Sequence, residues 1–471
     1  MNRRLLWLLV PALCFIFLAT SLYVSSEHLT QLPDLHLQLP FQQNQNHNSS
    51  SSSPLLSASL DPTTSSVSKP TAASSTISLS PPSATPSPQP TSISNGAILS
   101  ADRISPYIRA ILDPLDTNLP RLECPALNTS RYDTLRQRNH TDARTNNHID
   151  YYFALDLRNC LGLLPRLLGS IVEAIRFLGP HRCALSIVEG NSPDGTADIL
   201  IALRPFLSSL GASYFYQSSK IDPSKGDRIR RLADLRNLAL TPLLDNSHRA
   251  SGNTTIVFIN DVAACTEDSL ELVLQRRWLG ADMTCAMDWT YVGPDPTFYD
   301  VWVARTIHGD AFFEVPPDGS WNSAWNLFWN APETGARYDA HLPFQVFACW
   351  NGATAIGAAP VLDGLRFRDN CGGKDGECYQ GEPQIFCKEM WFRNFGKIAV
   401  IPTVNLEYSD EMGAEIKQLK GYTGDFARDQ TMDGNKIDWE LEPPDQVKCM
   451  PTWDNQSWRP WNETLNATLH Q

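Results

Sequence analysis

With 471 residues, a net charge of −13 and 38 lysines and arginines against 51 carboxylates, this chain offers no clustered basic surface. Nucleic acid and anionic membrane faces are thereby excluded as partners of its surface, because phosphates reward clustered cations. The length exceeds one average domain, yet most of the first hundred residues are too polar to pack, so one large domain or two fused lobes is expected.

Leu5 to Val24 is a charge-free apolar run. At about 1.5 Å per residue it matches a hydrocarbon core of about 30 Å. Arg3 and Arg4 precede it, so the positive-inside rule predicts a cytosolic tail at 1–4, a type II transmembrane anchor at 5–24 and export of the remainder. A cleaved signal peptide is the alternative. Residues 25–103 are dominated by Ser, Thr, Pro, Gln and Asn and read as an extended stem. Sequons at Asn48, Asn128, Asn139, Asn253, Asn455, Asn462 and Asn466 fit an extracytoplasmic location, and those near the C-terminus suggest an exposed glycosylated tail at 451–471. Apart from Cys14 in the apolar run, the cysteines lie where disulfides persist.

Residues 104–450 read as the globular domain, α/β in class. YYFALDL (from Tyr151) is a first strand, and Leu163 to Gly179 an amphipathic helix closed by Gly-Pro. ALSIVEG is a second strand, followed by the turn NSPDGT, a helix over ADILIALRPFLSSLG and a third strand, ASYFYQS. DRIRRLADLRNLALTPLL is a helix and TTIVFIN a fourth strand; EDSLELVLQRRW follows as a helix with its charges matched to the dipole. Strands separated by helices predict parallel βαβ units and a doubly wound sheet whose ligand crevice lies at the carboxyl ends of the strands.

Asn260-Asp261 ends the fourth strand. A hard divalent cation is commonly held by one or two carboxylates plus phosphate oxygens, which suits Asp261; a turn capping the next helix explains the pair about equally well. Glu189 and Asp194 stand at the mouth of the second strand beside a helix N-terminus, where hydroxyls and phosphates bind, although Pro-Asp-Gly is also ordinary turn chemistry. Arg230, Arg231 and Arg236 read by default as a solvated helix face, with a diphosphate contact as the other reading and Arg236-Asn237 the pair that best suits it. Asp288, Asp300, Arg305, His308 and Asp310 follow, carboxylates that suit a nucleophile, base or metal ligand and equally well loop residues paired with Arg. Trp321, Trp325 and Trp329 recur every four residues, a spacing read as helix-face core packing, with sugar stacking the other reading. No P-loop, GxGxxG, GxSxG or close Cys/His zinc cluster occurs.

IVEGNSPDGT, FINDVAACTEDSLELVLQ, ADMTCAMDW, FYDVWVAR and VFACWNGATAIGA, in that order, resemble the fungal capsule-associated α-1,3-mannosyltransferases, glycosyltransferase family 69. The resemblance spans roughly Tyr151 to Tyr408. It implies a GT-A-type nucleotide-sugar glycosyltransferase fold, with a mostly parallel twisted sheet flanked by helices. It further implies GDP-mannose as donor, a mannose-containing glycan as acceptor, Mn2+ (or Mg2+) as cofactor, and α-1,3 transfer with retention from the Golgi lumen. Asp261 would hold the metal; Glu189, Asp194, Arg236 and Asn260 the nucleotide sugar; Trp350 and Asn351 the sugar or acceptor. Asp288, Asp300 and Glu382 are candidate catalytic carboxylates, and His308 a guess for a second metal ligand. The resemblance also suggests a Cys265–Cys285 disulfide. GEPQIFCKEMWF, where Pro383 and Glu389 depart from the family pattern, leaves the acceptor end open. A glycoside hydrolase, or a non-catalytic member aiding polysaccharide synthesis or export, is the rival.

Overall fold

The computed structural model describes residues 93–137, 148–370 and 376–465. The expected anchor and nearly all of the expected stem, with Asn48, Asn139 and Asn466, lie outside them. Among the described residues no helix is long and apolar enough to cross a membrane.

In chain order come α1 (Ala101–Leu112), α2 (Thr129–Arg136), β1 (Tyr151–Leu157), α3 (Leu164–Leu178), β2 (Cys183–Glu189), α4 (Thr196–Leu210), β3 (Ser213–Ser218), α5 (Arg228–Asp245), β4 (Thr255–Ile259) and α6 (Thr266–Leu279). This half matches the expected order of elements. β3, β2, β1 and β4 pair side by side, all parallel, as crossover helices require. Successive side chains of β1 point to opposite faces. The Tyr151 hydroxyl donates to the Leu135 carbonyl of α2, whereas that of Tyr152 donates to the Ala239 carbonyl of α5. Phe153, Leu155 and Leu157 join the main apolar core with Leu164, Leu168, Ile171 and Ile175 of α3.

The second half departs from the expected pattern. β5 (Met283–Tyr291), β6 (Pro296–Phe298), β7 (Arg305–Thr306), α7 (Pro332–Asp339), β8 (Phe344–Ala348), β9 (Ala353–Gly357), α8 (Ala359–Leu362), α9 (Glu382–Phe392), β10 (Ile398–Leu406) and α10 (Asp410–Lys420) continue the sheet as β4-β9-β5-β10-β8-β7. β9 is antiparallel to both β4 and β5, and β8 to β10. The sheet is therefore mixed rather than mostly parallel. Only residues 349–352 join β8 to β9, too few for a crossover helix, so alternation could not forecast this half.

Two further expectations are corrected. Cys265 pairs with Cys124, and Cys285 with Cys349, so the Cys265–Cys285 bond does not form; Cys378 pairs with Cys449. The stretch bearing Trp321, Trp325 and Trp329 forms successive turns, not a helix, and Trp325 is 80% exposed. The ordered fold also runs past 451 as a hairpin of β11 (Gln446–Thr452) and β12 (Asn455–Pro460).

Candidate active site

The carboxyl ends of β1 and β4 bring Asp156, Asn260 and Asp261 to one crevice, floored by Arg236 from α5. Arg236 is 7% exposed. Its Nε donates to Glu382 Oε1 at 2.7 Å, and its Nη1 lies 3.5 Å from Asn260 Oδ1 and 3.9 Å from Asp156 Oδ1. Three aromatic rings pack around the guanidinium, with centroids at 4.4 Å (Trp350), 5.3 Å (Phe258) and 5.8 Å (Phe367). Trp350 Nε1 donates to Asn260 Oδ1 at 3.0 Å. Asn260 thus aligns the Arg236–Trp350 pair from inside the site.

Asp288 and Asp300 form the second wall. Asp300 Oδ2 accepts the Asn351 amide at 2.9 Å, and Asn351 Nδ2 donates to the Ala286 carbonyl of β5. Asn351 and Gly352 both hold positive φ, 53° and 81°. A Cβ on Gly352 would meet the Asp288 and Val262 side chains at 3.3 Å, so glycine lets this turn lie against the site. Asp288 is fully buried; the Tyr408 hydroxyl donates to its Oδ2 at 2.7 Å, while Oδ1 has no hydrogen-bond partner among the described residues. The Tyr408 ring packs on Tyr299, 4.9 Å between centroids.

Burial and crowding shape the charges here. Burial pushes Asp261 up to about 7, with the Asp156 charge adding to the rise. Burial also pushes Asp156 up to about 6, opposed by Arg236 and reinforced by Glu382. Asp300 rises to about 6 through burial, and Asp288 is held well above the usual range by burial and the neighbouring Asp300 charge. Both carboxyls thus hold their protons to higher pH than an ordinary carboxylate.

Of the residues expected in the site, Asp261, Arg236, Asn260, Asp288, Asp300, Glu382, Trp350 and Asn351 belong to this linked cluster. Glu382 is engaged by Arg236. Glu189 and Asp194 brace the adjacent turn: Glu189 accepts the Ser192 amide at 2.6 Å, and Asp194 accepts the Leu161 and Thr196 amides and the Thr196 hydroxyl. Asn237 exchanges two hydrogen bonds with the Phe367 backbone instead of facing the crevice. His308 lines a depression with Pro444, Asp445, Gln446 and Trp458, where none of the site carboxylates lies. Asp310 is held by Lys448, Asn330 and the Ala311 amide. Asp156, Tyr299 and Tyr408 were not expected. A carboxylate near the end of the apolar strand YYFALDL was the available signal for Asp156.

Among the described residues no three His, Cys, Asp or Glu side chains converge as a complete metal cage. Asp156 and Asp261, each raising the proton affinity of the site around it, nevertheless fit a hard cation that keeps water and substrate phosphates as its other ligands. Arg236 is a permanent cation within a cluster holding five carboxyl groups, so added positive charge would favour a diphosphate entering it.

The family model described as Cryptococcal mannosyltransferase 1 matches residues 150–389, about half of the chain. Alpha-1,3-mannosyltransferase CMT1 of Cryptococcus neoformans is 34% identical over 343 residues, which cover 66% of this chain and 72% of that protein. Similar solved structures include S. aureus TarS 1-349, at 12% identity and a TM-score of 0.33 over 58% of this chain and 64% of that one. Mannosyltransferase PcManGT from Pyrobaculum calidifontis, in complex with GDP-Man and Mn2+, has 11% identity and a TM-score of 0.32 over 60% and 63% of the two chains. The chain spans a little under two thirds of either solved protein.

Proposed function

This chain belongs to the cryptococcal mannosyltransferase 1 family and is a glycosyltransferase, and on that premise we propose that it transfers mannose from GDP-mannose to a mannose-containing glycan, forming an α-1,3 linkage with retention. The observation that carries this reading is the placing of Asp156, and of Asn260 with Asp261 next to it in the chain, against the Arg236 guanidinium at the carboxyl ends of β1 and β4, the usual ligand end of such a sheet. The GT-A assignment rests on the family and on the parallel β3-β2-β1-β4 half.

In this reading Asp261, with Asp156, would hold Mn2+ or Mg2+, which when bound would supply positive charge to offset the charge developing on the departing GDP. Arg236 supplies a fixed second positive charge to the diphosphate. Glu382 and Asn260 orient that guanidinium, and the Trp350 face keeps it desolvated. Asp300 is the carboxylate left for the reacting centre, because Asp288 is buried and bonded by Tyr408 and Glu382 is paired. Asp288, held by the Tyr408 hydroxyl, then acts as a support for Asp300. Asn351 fixes the Asp300 carboxylate through its amide.

The sequons and the three disulfides support a luminal, secretory-pathway setting, and the N-terminal apolar run supports a Golgi-membrane anchor. Incubating the full chain with a panel of sugar nucleotides, with and without Mn2+, and measuring sugar release or transfer tests the donor. Turnover of GDP-mannose alone, and only with metal, is expected; turnover of another nucleotide sugar in its place would refute the assignment.

A further inference from the structure

Residues 321–330 read WNSAWNLFWN, three Trp-Asn pairs at four-residue intervals, on turns rather than on a helix. The aromatic residue of this loop that enters the core is Phe328, 2% exposed, against Phe312, Phe344 and Tyr338. Phe328 holds φ at 59°, a conformation that costs a bulky residue free energy and is found where surroundings enforce it. With Phe328 anchored inward, Trp325 stands 80% exposed, and Asn322 and Asn326 are exposed beside it in sequence. A tryptophan presented so openly on a folded surface, with the exposed carboxamides of Asn322 and Asn326 close to it in the chain, has the chemistry of a sugar plate: the indole covers the C–H face of a pyranose and the amides meet its hydroxyls.

The loop is also tied to the active site. Trp302, two residues after Asp300, packs on Trp453 of the β11–β12 hairpin at 4.2 Å between ring centroids, and Trp453 reaches Trp321 at 6.1 Å. Gln456 Nε2 donates to the Val315 carbonyl at 2.9 Å. Gly319 has φ 74°, and a Cβ there would stand 2.7 Å from Trp453 Cδ1, so this glycine admits the hairpin indole. Loop and hairpin are one braced unit continuous with the segment carrying Asp300.

We propose that the 316–330 loop, braced by the hairpin, is a binding face for the sugar chain of a neutral glycan acceptor, with Trp325 as stacking plate. The acceptor class rests on the function proposed above, but the binding is independent of donor and metal. Affinity electrophoresis of the full chain through gels containing soluble α-mannan, without GDP-mannose or Mn2+, reads it directly. Wild-type protein is expected to be retarded, Trp325→Ala to lose about tenfold in mannan affinity, the size of one lost aromatic contact, and Trp325→Phe to regain most of it. The thermal midpoint of Trp325→Ala should stay within about a degree or two of wild type, since an exposed side chain contributes little to packing. KM for a long mannan acceptor should rise while GDP-mannose hydrolysis stays unchanged. Equal retardation of wild type and Trp325→Ala would overturn the inference, as would loss of self-association in Trp325→Ala with mannan retardation intact, which would make the face an interface between copies. Retardation without GDP-mannose turnover would refute the proposed donor while leaving this face standing.

Discussion

Arg236 and Glu382, 146 positions apart, meet in a hydrogen-bonded ion pair buried at the floor of the crevice. Removing one member of such a pair leaves an uncompensated charge, which costs about 3–5 kcal/mol. Glu382→Ala should therefore lower both the thermal midpoint and kcat. Arg236→Lys should lose kcat by about 100-fold, because a lysine cannot reproduce the planar guanidinium stacked on Trp350 while also reaching Glu382. Equal rates for Arg236→Lys and wild type would remove Arg236 from the diphosphate site.

The cluster makes the metal-free protein less stable as pH rises. Asp156, Asp261 and Asp300 have folded-state values of about 6, 7 and 6, above their ordinary value of 3.8. The folded state therefore binds protons more tightly than the unfolded chain, and this stabilisation, complete below the ordinary carboxylate range, is lost as pH climbs through about 6–7. Thermal scans in a chelator should show a midpoint falling between pH 5 and pH 8. Mn2+ should reverse the fall at the alkaline end, and Asp261→Asn should flatten the profile. A chelated midpoint rising over that interval would contradict the charge arrangement.

Asp288 and Asp300 should behave unequally. Burial and the Asp300 charge hold the Asp288 carboxyl well above its ordinary range, so Asp288→Asn, nearly isosteric with the protonated form, should cost less than about tenfold in kcat, equivalent to ~1.4 kcal/mol. Asp300→Asn should cost about 100-fold or more, the scale of a lost carboxylate at the reacting centre. Steady-state rates for the two variants at saturating donor decide between them.

Mapping of non-reduced peptides should recover Cys124 linked to Cys265, Cys285 to Cys349 and Cys378 to Cys449. The first closes a separation of 141 residues and ends four residues from Asp261. Replacing Cys124 by serine should thus lower stability by about 5 kcal/mol, the chain-entropy value for so long a loop.

How much of this was legible in the sequence follows from the range of the interactions. The first four strands and their helices were readable because alternation and 3.6-residue periodicity are local signals, and Asp261 followed from its place at a strand end. The mixed half was hidden because β9 inserts between β4 and β5 through pairings with no helix to announce them. Asp156 was concealed inside an otherwise apolar strand. Tyr408, 120 positions from Asp288, and the cysteine partners are joined only by folding. Glu189 and Asp194 stood where expected in the chain, yet the turn itself uses their oxygens. The tryptophans had helical spacing without a helix, because Phe328 rather than any indole enters the core.

The most direct test measures initial rates of GDP release from GDP-mannose by the full chain, with Mn2+ titrated, for wild type and Asp261→Asn. A saturable Mn2+ requirement in wild type, with activity lost or the half-saturating metal concentration raised at least about tenfold in the variant, is the predicted result, since one of two protein carboxylates on the cation would be gone. Full Mn2+-dependent turnover by Asp261→Asn would contradict the account.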